Sequence, residues 1–196
     1  MSTIDRRTAL RAFSLGPAVS LLLPSMLSAQ QAHHAIQKES AKTSKGEYVP
    51  RYFTAHPYAT LRSLCASIIP AGATSGGALE ARAPELIDLL ASENEDYQTR
   101  LGGGLAWLDS TCHDRFQNDY LKCAPDQQKQ ILDLIAYRES ASVAPNLSVG
   151  IAFFAFLRDL TVAGYFTSEV GMKYLGYKGN HFRSGFPGCP PLPPEV

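Results

Sequence analysis

The sequence predicts an all-α protein: a small, irregular bundle of about five helices, followed by an extended tail rich in glycine, proline and aromatic residues. Three observations carry this. Apolar residues recur at helical spacing in several separate windows, beginning with Leu61, Leu64, Cys65 and Ile68 at i, i+3, i+4 and i+7. No window shows the alternation of a half-buried strand. Prolines stand where helices start or stop, at Pro70, Pro84 and Pro125.

The first helix is expected from about Thr54 to Ile69, closed by Pro70, with Ala71 to Gly77 as a small-residue turn. Gly76-Gly77 is not a phosphate loop, because no Gly-Lys-Ser/Thr follows and no strand precedes it. A short second helix begins near Pro84 and carries Leu86, Ile87, Leu89 and Leu90. The third spans Glu93 to Tyr120, with or without a break, and its stripe is Leu101, Leu105, Leu108, Cys112 and Phe116. Glu93, Glu95 and Asp96 suit the positive end of its dipole.

Within it, Gly102-Gly103-Gly104 admits two readings. Either a neighbouring helix approaches closely there, offsetting about 1 kcal/mol per glycine, or the helix only starts after them. Pro125-Asp126-Gln127-Gln128 opens a fourth helix with Ile131, Leu134, Ile135 and Tyr137 as its apolar positions. A fifth begins around Ser148 and carries Phe153, Phe154, Phe156, Leu157 and Leu160 on most of its sides, which places it at the bundle centre. After Ala163 no helical stripe continues; aromatics, glycines and finally Pro187 to Val196 follow, an extended composition.

The start of the chain has a different character. Asp5-Arg6-Arg7-Thr8-Ala9-Leu10-Arg11 precedes an apolar run from Ala12 to Leu27. Paired Arg6 and Arg7 with Leu10 ahead of such a run read as a twin-arginine export signal, although Ala9 replaces the usual Phe; the plainer reading is an ordinary secretory signal. Gly16, Pro17 and Pro24 break the run, and it falls short of the ~20 apolar residues a spanning helix needs. Leu27-Ser28-Ala29 offers a small-residue cleavage site at Ala29. The expected organisation is therefore a signal at 1–29, a polar linker that buries little at 30–52, a helical domain at 53–186 and a proline-rich tail at 187–196. Such a signal sends a folded protein to the periplasm, as a partner-bound or cofactor-loaded chain requires.

Charge excludes one class. The chain holds 18 basic and 18 acidic residues, and signal removal leaves 15 and 17, so nothing resembles the basic footprint of a nucleic-acid binder. Four cysteines enter an oxidising compartment, where three pairings are open. Cys112 and Cys123 flank a helix end and could bridge locally; Cys65 lies on an apolar face as a buried thiol; Cys189 lies in the tail, able to meet another chain.

No catalytic constellation emerges. Cys112-His113 are adjacent in sequence and so do not face each other on a helix. His33-His34 reads as solvated linker, and His56, His113 and His181 lack zinc spacing. Asp109 and Asp133 sit among apolar residues as caps or partners of arginines. No catalytic, cofactor-binding or metal-binding residue is assigned to this chain. A free-standing periplasmic enzyme or ligand-binding protein, the alternative class, would have to draw on Asp109, Arg115, Arg158 and Asp159.

Several segments, taken in order, carry a resemblance. They are Leu61 to Pro70 (LRSLCASIIP), Pro84 to Leu90 (PELIDLL), Gly104 to Asp109 (GLAWLD), Phe116, Asp126-Gln127-Gln128, Phe153 to Tyr177 (FFAFLRDLTVAGYFTSEVGMKYLGY) and Gly188-Cys189. In these the chain resembles the gluconate 2-dehydrogenase subunit 3 family.

The resemblance implies a small, non-catalytic subunit of a periplasmic, FAD-dependent sugar or alcohol dehydrogenase, peripheral to the inner membrane through its complex. FAD would sit in the large flavoprotein subunit and haem c in a multihaem cytochrome partner. The leader, read by the twin-arginine translocase, would export the flavoprotein too, making this chain escort and stabiliser, as permanent subunit or transient assembly factor. The expected partner interface is Tyr165, Phe166, Tyr174, Tyr177, Phe182, Phe186 and Cys189. The long linker departs from the family pattern.

Overall fold

In a computed structural model the protein is described at residue 36 and residues 48–73, 75–137 and 145–179. The expected export residues Arg6, Arg7, Leu10 and Ala29 lie outside the described residues, as do Phe182, Phe186 and Cys189.

Six α-helices and no strand occur among the described residues: α1 (Ala55–Ile68), α2 (Ala83–Glu93), α3 (Glu95–Phe116), α4 (Pro125–Ile135), α5 (Ser148–Phe166) and α6 (Glu169–Tyr174). Short 3-10 turns at Tyr120–Lys122 and Pro145–Leu147 join them. The all-α expectation holds, with one helix more than the pattern suggested. That extra helix, α6, is too short to display a stripe of its own.

Helix ends follow local chemistry. Pro84 sits in the first turn of α2, behind Arg82 in the left-handed region at φ 59°. The third helix, expected from Glu93 to Tyr120 with or without a break, is corrected at both ends. Asn94 breaks the chain between α2 and α3, and its side chain accepts from the Asp96 and Tyr97 amides at 2.9 and 3.2 Å. Glu95 and Asp96 fill the first turn. At the far end Gln117 turns left-handed (φ 57°) and stops α3 at Phe116. Gln127 Oε1 accepts from the Ala124 amide at 2.9 Å and opens α4.

α5 lies at the centre, packed on α1, α2, α3, α4 and α6. Phe153, Phe154 and Leu157 are buried, and Phe156 is half-buried with its ring edge-on to Tyr97 and beneath the Arg100 guanidinium. By length and composition α5 is apolar enough to cross a membrane, yet much of it faces its neighbours in the bundle. All three glycines lie inside α3, and the close approach falls at Gly104 alone. A Cβ on Gly104 would collide with the Phe153 ring, and one on Gly150 with Trp107. The two contacts are reciprocal, each helix offering a glycine to the other's ring.

The linker differs from expectation where it meets the bundle. Ile36 is 1% exposed and Tyr48 is buried, both within the main core. Asp88 of α2 explains the anchoring of the segment after Tyr48. Its carboxylate accepts from Tyr48 Oη (2.8 Å) and from the amides of Arg51 (2.6 Å), Tyr52 (3.2 Å) and Phe53 (2.9 Å). A buried carboxylate with four donors is satisfied rather than stranded. Tyr137, expected on the apolar side of α4, lies past the helix end and is exposed.

Candidate partner-binding surface

The surface forms where α5 ends and the chain folds back. Ser168 makes the turn: its hydroxyl donates to the Tyr165 carbonyl at 2.6 Å and accepts from the Gly171 amide at 3.1 Å. Gly171 is required, because a Cβ there would strike the Tyr165 carbonyl. This brings α6 against the last turn of α5. The Gly176 amide then donates to the Lys173 carbonyl and the Tyr177 amide to that of Met172, both at 3.0 Å, with Gly176 left-handed at φ 66°. That paired bonding is the Schellman stop, and it sets the direction in which Tyr177 leaves α6.

The result is a set of large apolar side chains that the bundle does not cover. Tyr174 and Leu175 are each 61% exposed, and Tyr177, Phe166 and Val162 are exposed beside them in sequence or in the fold-back. Val162 and Phe166 stand one helical turn apart on α5. Tyr165 is a correction to the expected interface. It is 3% exposed, a core residue whose ring meets Phe166 and Tyr174 edge-on at 5.1 and 6.4 Å. It supports the patch from beneath. Sequence reasoning missed Val162 and Leu175. The i, i+4 relation of Val162 to Phe166 was the available signal.

The residues considered for chemistry do not converge. Asp109 Oδ2 meets His56 Nε2 at 2.7 Å and its Oδ1 accepts from the Tyr120 amide at 3.0 Å. It thereby ties α1, α3 and the first 3-10 turn together. Asp133 pairs with Lys129 at 2.6 Å on the exposed face of α4. Arg158 donates to the Ala136 carbonyl at 3.4 Å. Among the described residues no three His, Cys, Asp or Glu side chains gather in an arrangement that could hold a metal.

Burial raises the pKa of several groups, Glu85 and Cys65 among them. Glu85 of α2 is held above the usual carboxylate range, chiefly because burial penalises its charge, with the Arg62 guanidinium 3.6 Å away as partial compensation. Burial pushes the Cys65 thiol up to about 12, opposed by a contact to Thr161 Oγ1 at 3.4 Å. Cys112 and Cys123 are both free thiols and both buried, and Cys123 Sγ donates to the Asn118 carbonyl at 3.9 Å.

No curated protein and no solved structure matches the chain. A family model does match, that of gluconate 2-dehydrogenase subunit 3, over residues 55–188. The match begins at the first residue of α1 and runs through all six helices and beyond the fold-back. The chain therefore belongs to the gluconate 2-dehydrogenase subunit 3 family, and so is a subunit of a dehydrogenase complex that associates with a catalytic subunit.

Proposed function

We propose that this chain is the non-catalytic small subunit that escorts and stabilises the FAD-bearing catalytic subunit of a periplasmic sugar or alcohol dehydrogenase. The observation that carries the reading is the exposed cluster of Phe166, Tyr174, Leu175 and Tyr177, held in a defined shape by the Ser168 turn and the Gly176 stop. Uncovered aromatic side chains on a rigid support match the anchors that dominate protein interfaces, where truncating one often costs ~2 kcal/mol or more. The FAD and the substrate chemistry belong to the partner. A multihaem cytochrome c accepts the electrons in this reading.

Export follows the same logic. Arg6 and Arg7 address the chain to the twin-arginine translocase, which moves folded cargo, and a flavoprotein loaded with FAD in the cytoplasm must travel folded. The docked pair crosses together under one leader.

The test is to co-express the full chain with its flavoprotein partner and fractionate the cells. Both proteins are expected in the periplasm, co-purifying, with dye-reducing activity only when both are present. Replacing Arg6 and Arg7 with lysine strands both in the cytoplasm. A flavoprotein that reaches the periplasm with the double-lysine variant ends the escort reading, and sugar-dependent turnover by this chain alone ends the non-catalytic one.

A further inference from the structure

We propose that Cys112 and Cys123 are the site of an internal disulfide, which staples the 3-10 turn at Tyr120–Lys122 to the end of α3. This goes beyond the partner reading; in the cell it rests on the export reading, which delivers the chain to an oxidising compartment. Four observations place the two thiols together. Cys112 is the last buried residue of α3 and is 0% exposed. Gln117 reverses the chain in the left-handed region, so residues 118–123 run back across the helix end. Asp109, one turn before Cys112, accepts from the Tyr120 amide at 3.0 Å and fixes the returning strand of chain. The side-chain amide of Gln128 donates to the Tyr120 and Cys123 carbonyls at 2.9 and 3.3 Å, holding Cys123 from the other side.

Closing the bond takes Cys123 Sγ from its present acceptor, the Asn118 carbonyl at 3.9 Å, toward Cys112. Cys65 is in a different place, against Thr161 of α5. Nothing else among the described residues competes for either sulfur as a covalent partner.

The chemistry balances through a carrier disulfide, either glutathione disulfide or the disulfide of a thiol oxidoreductase. One cysteine thiolate attacks a carrier sulfur, forming a mixed disulfide and releasing one carrier thiol. The second cysteine displaces the other carrier sulfur and closes the Cys112–Cys123 bond. Two protons leave the protein, and its two electrons reduce the carrier disulfide to two thiols. Burial beside Cys123 pushes the Cys112 thiol up to about 12, so little thiolate exists once the turn has docked. The bond therefore closes as the segment folds back, or after the turn transiently opens.

The experiment refolds the full-length chain from urea in a glutathione redox buffer, quenches with acid, alkylates free thiols and maps the digest by mass spectrometry. The expected product is a Cys112–Cys123 linked peptide, about 2 Da lighter than its two thiol halves and abolished by dithiothreitol. Reducing the oxidised protein should lower its Tm by roughly 5–10 °C. A C112S/C123S double variant should melt with the reduced protein and ignore dithiothreitol. Full alkylation of both cysteines after refolding overturns the proposal, and so does linkage of either one to Cys65 or Cys189.

Discussion

Gly104 of α3 lies directly against the ring of Phe153 of α5, while Gly103, one residue earlier, faces open space. Adjacent glycines in one helix thus have opposite physical standing. Gly104 is needed for the helix crossing; Gly103 carries only the entropic cost of a glycine in a helix. Gly104→Ala is expected to destabilise the protein by about 1–3 kcal/mol through overpacking, and Gly103→Ala to stabilise it by up to roughly 1 kcal/mol. Urea denaturation of the two variants beside the parent measures both signs. Equal effects would mean that the crossing does not govern the site.

Asp88→Ala removes the acceptor for Tyr48 Oη and for three successive backbone amides. Leaving the buried Tyr48 Oη and Phe53 amide and the part-buried Arg51 and Tyr52 amides without their acceptor should cost about 3 kcal/mol. Loss should be local as well as global. Hydrogen exchange at the amides of Arg51, Tyr52 and Phe53 is predicted to accelerate well beyond that of the α5 core. Unchanged protection of those three amides would contradict the anchoring role.

Glu85 gives a pH signature. Its proton is held more tightly in the folded protein than in the unfolded chain, because burial opposes the charge. Below the ordinary carboxylate range the group is protonated in both states and contributes nothing to the pH dependence. As pH rises through that range the unfolded chain releases its proton first, so this group draws stability away from the folded state. Glu85→Gln removes the effect. The Tm difference, variant minus parent, should therefore grow as pH rises through and above the ordinary carboxylate range. A difference that is flat or shrinks over that interval would show that Arg62 fully compensates the charge.

The exposed aromatics separate binding from folding. Tyr174→Ala combined with Tyr177→Ala should leave the Tm of the free subunit nearly unchanged, since both rings are largely solvated. The same pair should weaken association with the catalytic subunit by roughly 30-fold or more, given ~2 kcal/mol for an anchoring ring. Tyr165→Ala should do the reverse first, costing about 3–5 kcal/mol of stability as a buried aromatic. Calorimetry of the free subunit and titration against the flavoprotein distinguish the two classes.

Local pattern made much of this protein legible. Leu61, Leu64 and Cys65 were readable as a buried stripe, Pro84 and Pro125 as helix starts, and the aromatic-rich α5 as the central helix, because periodicity and proline act within a turn or two of chain. The family was legible too, in the order of short segments from Leu61 to Gly188. The Asn94 break was less so, since its cap competes with a continuous stripe only by a local hydrogen-bond choice.

What the amino-acid order determined unaided, then, was the helical class, the approximate helices and the family they belong to. Tertiary structure alone decided that Gly104 is needed and Gly103 is not, that Asp88 gathers the segment after Tyr48, and that Tyr165 is core while Tyr174 is surface. The physical reason is range. Helix formation is decided by neighbours three or four residues apart, whereas exposure and close approach depend on which distant segment the folded chain brings alongside.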